Sequence, residues 1–196
     1  MTAGSGVIHS EMPAPSFYEQ GGKMHGFQIW INLPRDRKMI PPRYQDTPSE
    51  KIPEVLLEDG TSKVRVIAGA FQTTRAVIET KIPILYLHIN FQAGMNIVQP
   101  VTSDHNCMAY IIEGHGQFGA EKETQSASEG QLVLFARNGD EVCLSSGKDS
   151  PVELLLLAGR PFNEEIARYG PFVMNTREEI LEAFQDYQQG KMGMIS

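Results

Sequence analysis

His9 and Glu11, in the opening stretch "MTAGSGVIHSEMP", have side chains that bind metal ions and move protons. On an extended backbone, side chains two positions apart leave the same face, so this imidazole and this carboxylate can reach one ion together. Such a donor pair suits a non-heme Fe(II) centre, in which open coordination positions receive oxygen and substrate. A metal site normally takes at least three protein ligands, so the pair by itself reads equally as a solvated, hydrogen-bonded strand surface.

The remaining candidates are weaker. His88 alternates with the apolar Leu85, Leu87, Ile89 and Phe91, and His115 lies in the glycine-flanked "EGHGQFG"; both read as surface residues. His105 precedes a β-run ending in Glu113-Gly114, but no companion histidines or glutamate stand at ligand spacing, so its reading is structural. Cys107 and Cys143 lack CxxC spacing and read as small packed residues of a reducing, intracellular and specifically cytoplasmic protein. The net charge of -7 gives no broad basic field for phosphate backbones, so direct nucleic-acid binding is not expected. No apolar run approaches the ~20 residues that span a bilayer, so no membrane role is expected either.

The elements that would position these residues read mostly as strands. "HGFQIWINLP" alternates Phe27, Ile29, Ile31 and Leu33 against Gln28, Trp30 and Asn32, a period-two strand pattern. Pro34, Pro41, Pro42, Pro48 and Pro53 then mark an ordered crossing. Beyond it come "EVLLEDGTSKVRVIAGAF", with a hairpin expected at Asp59-Gly60, and the runs "ILYLHINF", "MAYIIEG", "GQLVLFA", "EVCLSS" and "VELLLLAG", with a second hairpin expected at Asn138-Gly139. Short strands at near-regular spacing imply an all-β sandwich or barrel. "NTREEILEAFQDYQQGKMG" reads as a helix instead: Thr176 and Glu179 form a capping box, Ile180, Leu181, Phe184 and Tyr187 form an apolar stripe expected to pack on the barrel, and Gly190 suits the left-handed position after the last turn.

Four stretches, "MTAGSGVIHSEMP", "HGFQIWINLPRDRKMIPPRYQD", "KVRVIAG" and "GRPFNEEIARYGPFVMNTREEI", together with the spacing between them, make the chain resemble the pirin family over nearly its whole length. The resemblance implies a bicupin, two β-barrels in one chain. The N-terminal barrel of the family holds iron or another divalent metal on three histidines and a glutamate, two of them as His-x-His within His-Pro-His-x-Gly and two as His-x-Glu. His9 and Glu11 match the second pair. No His-x-His occurs in this sequence, and ~90 residues of the family's N-terminal side have no counterpart, about the size of most of a small barrel.

The expected fold is therefore a C-terminal cupin barrel with a C-terminal helix, preceded by an incomplete N-terminal cupin barrel. Residues 1–49 would be the remnant of the metal-binding domain plus the proline-rich crossing, and 50–196 the C-terminal domain. By resemblance, the complete protein would be an Fe(II)-dependent, or other divalent-metal-dependent, quercetin 2,3-dioxygenase acting on a small flavonol-like aromatic, with His9 a ligand and Glu11 ligand and general base. The alternative is a non-enzymatic, iron-dependent regulatory protein: a transcriptional cofactor or a modulator of metabolic enzymes, with a protein partner. For this chain the expectations are weak or no metal binding, weak or absent activity, and self-association through the incomplete N-terminal barrel. Arg160, Glu164 and Arg168 are expected to tie their segment to the barrel.

Overall fold

A computed structural model describes residues 1–120 and 123–194. The chain divides into two compact units, Met1–Asp46 with Phe162–Ser196, and Thr47–Pro161. The first unit opens with β1 (Val7–Ile8) and α1 (Pro15–Gln20). Pro15 starts α1 because its ring presets a helical φ, and its missing N–H falls among donors that a helix start leaves unpaired.

The second unit contains β2 (Glu54–Leu56), β3 (Lys63–Ala68), β4 (Ala70–Phe71), β5 (Thr74–Arg75), β6 (Ile84–Phe91), β7 (Asn96–Pro100), β8 (Asn106–Phe118), β9 (Gln125–Ser128), β10 (Leu132–Phe135), β11 (Glu141–Ser146) and β12 (Val152–Gly159). Nine of these form one sheet in the order β2-β3-β6-β12-β8-β11-β7, with β9 and β10 also on β8. The β2–β3 hairpin is the one expected at Asp59-Gly60, with Gly60 at φ 70 where a side chain would be strained. Asn138-Gly139 joins β10 to β11 without making them partners, since β10 pairs β8 while β11 pairs β7 and the far end of β8.

The long β8 explains the curl of the sheet. Its first half pairs with β10 and β12, and its second with β9 and β11, so one strand feeds two faces. The change of direction falls at Gly114, φ 82, where a Cβ would run into the Pro151 carbonyl, beside a register shift between Glu153 and Leu154. The inward faces supply the core: Val64 and Val66 from β3, Leu87, Ile89 and Phe91 from β6, Ala109 and Ile111 from β8, Leu154 and Leu156 from β12. Strict alternation along β3 and β6 puts these residues on one face and leaves Lys63, Arg65, His88 and Asn90 on the other.

The chain then returns to the first unit as β13 (Ala167–Tyr169), β14 (Phe172–Met174), α2 (Arg177–Gln188) and β15 (Gly193–Met194). β13 and β14 form a hairpin, and β15 pairs in parallel with β1. The helix starts with the expected capping box: the Thr176 hydroxyl accepts from the Glu179 N–H, and the Glu179 carboxylate accepts from the Thr176 N–H. Its apolar face packs within this unit, where Phe184 meets Phe172 edge-on at 4.9 Å and Tyr169 at 5.6 Å, while Leu181 and Tyr187 stay exposed. The fold is mostly β, an open, curled barrel sheet with a C-terminal helix.

One strand expected from the sequence does not form. Residues 25–33 contain no strand, and the backbone groups of residues 28–32 pair with no other backbone group among the described residues. Period two supplies a face, but a strand also needs a neighbour to receive its hydrogen bonds.

Candidate metal half-site and its supporting network

His9 follows β1 directly, and Glu11 lies two residues further along in irregular backbone. His9 Nδ1 stands 4.0 Å from Glu11 Oε1, so the structure brings together the two residues singled out in the sequence. The other Glu11 oxygen, Oε2, accepts a hydrogen bond from Gln28 Nε2 at 3.1 Å. Gln28 therefore aims the carboxylate, a role that no spacing signal in the sequence announced, since its partner is 17 positions away. Both donor side chains reach solvent, at 29% and 65% exposure for His9 and Glu11.

Can this pair hold a metal? Two donors each ~2.1 Å from one ion at a right angle would stand ~3 Å apart, so the pair would have to close by about 1 Å. More decisively, no group of three His, Cys, Asp or Glu side chains placed to hold an ion occurs among the described residues. The residues present do not fit a complete metal centre; they supply two donors where three or four are needed.

The other histidines lie elsewhere. His88 Nε2 pairs with Glu153 Oε1 at 2.7 Å on the outer face of the second unit's sheet, and His105 Nε2 lies 3.8 Å from Asp104 Oδ1. Arg160 Nε faces the other Asp104 oxygen at 3.5 Å. Burial pushes the Cys107 thiol up to about 12, so it is neutral and inert. A groove of about 370 Å³ beside β9 and β10 is lined by Gln125, Ser126, Ala127, Gln131, Leu132, Val133 and Leu134, none of them a strong metal donor.

The first unit also carries a polar network that positions its loops. Glu164 Oε2 accepts from the Arg35 N–H at 2.9 Å and from Asn175 Nδ2 at 3.1 Å. Glu179 Oε2 accepts from the Asn175 and Thr176 N–H groups, and Glu179 Oε1 accepts from Arg35 Nη2 at 3.3 Å. These N–H donors, followed by the Arg35 charge, hold the Glu179 carboxyl below the usual range. Lys38 is buried nearby, its Nζ donating to Asn32 Oδ1 at 2.6 Å and to the Leu33 carbonyl at 2.9 Å. Desolvation lowers its pKa, opposed by the charges of Glu164 and Glu179. Arg168 lies 5.1 Å over the Trp30 ring. Segments 30–38 and 164–179, two stretches that carried the family resemblance, are thus tied to one another.

Comparison with known proteins agrees with this architecture. Residues 86–193 match the pirin C-terminal cupin domain. A pirin-like protein of Solanum lycopersicum is 42% identical over 98% of this chain and 63% of its own length. Pirin of Rattus norvegicus is 36% identical over 98% of this chain and 64% of its own. A crystal structure of quercetin 2,3-dioxygenase from Acinetobacter baumannii superposes with a TM-score of 0.76 at 32% identity, covering 85% of this chain and 56% of that one. The chain spans less than two thirds of the length of these relatives. With more than half of its residues matched by the C-terminal cupin domain, the chain belongs to the pirin family.

Proposed function

We propose that this chain carries the His-x-Glu half of a pirin-type iron centre on a pirin C-terminal cupin scaffold. Residues 1–49 belong to the metal-binding cupin domain and its proline-rich crossing, and residues 50–196 to the C-terminal domain. The observation that carries the reading is the His9–Glu11 pair at 4.0 Å, with Glu11 aimed by Gln28 and no third donor in reach among the described residues.

Fe(II), or another divalent metal, is the cofactor this half-site would share with two further histidine ligands, and it would supply Lewis-acid and oxygen-binding chemistry. The reaction class is ring-cleaving oxygenation of a flavonol-like aromatic, supported by the 32% identity to the Acinetobacter baumannii quercetin 2,3-dioxygenase. Within it His9 is a ligand, and Glu11 is a ligand and the base that takes the substrate's hydroxyl proton. By itself the 196-residue chain turns over quercetin weakly or not at all. A second reading, an iron-dependent regulatory protein with a protein partner, is favoured by the net charge of -7 and by the apolar side chains that the first unit exposes. A second copy of this chain is a further partner on either reading.

The test is oxygen uptake and carbon monoxide release with quercetin and Fe(II). The chain alone is expected to give little of either. Extension of Met1 by a pirin N-terminal segment bearing His-Pro-His-x-Gly is expected to raise both, and Glu11→Gln to abolish them. Turnover by the extended chain that survives Glu11→Gln would remove the base assignment.

A further inference from the structure

The first unit has almost no hydrophobic core. Every member of the main apolar cluster belongs to the second unit, and among the described residues of the first unit Ile180 is the only buried hydrophobic. The first unit nevertheless holds about three quarters of the large hydrophobic side chains that the described residues expose, among them Met12, Trp30, Ile31, Tyr169 and Leu181. Ordering a unit of this size costs conformational entropy that apolar burial normally offsets. Its apolar side chains are present in number, but only a minority, such as Phe172 and Phe184, are even partly covered, and most of the large ones stay exposed.

Area points the same way. The chain exposes 13043 Å², whereas its two units, taken as separate folded bodies of ~9 and ~13 kDa, are expected to expose ~11,000 Å² together. The excess, ~2,000 Å², is as large as the ~1,200–2,000 Å² that a specific protein interface removes from solvent.

Within this surface, residues 28–32 offer a particular feature. They have strand-type alternation, backbone groups unpaired with other backbone, and the exposed Trp30 and Ile31. From Met24 to Pro34 the sequence has no Asp, Glu, Lys or Arg, the charges that usually guard an open edge against pairing. Among the described residues, charged groups from elsewhere in the unit meet residues 28–32 only through Gln28, Trp30 and Asn32, and a two-fold axis would set the same open edge of two copies against each other.

We propose that two copies of this chain associate edge to edge through residues 28–32, covering Trp30 and Ile31 and the apolar side chains around them. The proposal deepens the partner reading above and does not depend on iron.

Trp30 is the only tryptophan in the chain, so its fluorescence reports on this surface alone. Sedimentation velocity in EDTA over roughly 1–100 µM chain should give a species of twice the chain mass, with Trp30 emission shifting to the blue and quenching by acrylamide falling as concentration rises. Ile31→Lys, at an exposed position, should raise the dissociation constant at least ~tenfold and leave the far-ultraviolet circular dichroism unchanged. Leu134→Lys, at a more exposed position in the second unit, should leave the dimer intact. A monomer throughout that range, open-ended aggregates, or a dimer whose Trp30 stays fully quenchable would overturn the proposal. So would a folded Ile31→Lys variant that dimerises as tightly as the parent; if that variant does not fold, the Trp30 readout on the parent chain decides. Because EDTA is present throughout, a negative result would count against the interface and leave the metal half-site standing.

Discussion

Glu164 accepts a hydrogen bond from the backbone N–H of Arg35 at 2.9 Å, across 129 positions of sequence. Its carboxylate also receives Asn175 Nδ2, and Asn175 is buried. Glu164→Ala is expected to destabilise the first unit by about 1–3 kcal/mol, because it strips partners from a buried amide and a backbone donor. Hydrogen exchange should locate the loss at residues 30–38 and 164–179, with the protection of β6 and β12 unaltered. Equal loss of protection in those two strands would contradict the assignment of this network to the first unit.

Asp59 makes a second, more local prediction. Its carboxylate accepts from the Thr61 N–H at 3.1 Å, the Ser62 N–H at 2.8 Å and the Ser62 hydroxyl at 2.5 Å. The Ser62 hydroxyl, with the loop N–H groups adding to it, brings its pKa down to about 2. A carboxyl whose folded pKa is depressed stabilises the fold above its unfolded pKa, ~3.9, and loses that contribution as pH falls through the folded value. Stability measured in urea should therefore drop between about pH 4 and 2, and Asp59→Asn should flatten that part of the profile. A profile that keeps its slope in Asp59→Asn would place the titrating group elsewhere.

How far these features were legible in the sequence depends on whether their determinants were local. Asp59-Gly60 and the Thr176–Glu179 capping box involve residues one to three positions apart, and both are found where the sequence placed them. β6, β11 and β12 coincide with their apolar runs because each is buried along a full face. Residues 25–33 have the same pattern without forming a strand, since periodicity cannot say whether a neighbour exists. The β13–β14 hairpin gave no clear signal, because "ARYGPFVM" mixes Gly and Pro with apolar residues. In the candidate site, His9 and Glu11 were visible as an i, i+2 pair, whereas Gln28 and Asn175 act through long-range contacts that no motif encodes. Arg168, expected to tie its segment to the barrel, lies over Trp30 in its own unit.

The two cysteines should differ in reactivity. Burial pushes the Cys107 thiol up to about 12, so at pH 8 it is neutral as well as shielded, while Cys143 is only partly buried. A disulfide-exchange reagent is expected to label at most Cys143 in the native protein and both residues after unfolding. Rapid labelling of Cys107 under native conditions would mean that the sheet opens between β8 and β12.

The central claim is that this chain provides two ligands of a metal centre and not a complete one. The direct measurement is iron retention: the 196-residue protein is loaded anaerobically with Fe(II), challenged with a chelator, and its bound iron counted. The account predicts weak binding that the chelator removes, further weakened by His9→Ala and Glu11→Gln. Stoichiometric iron that resists the chelator would contradict it.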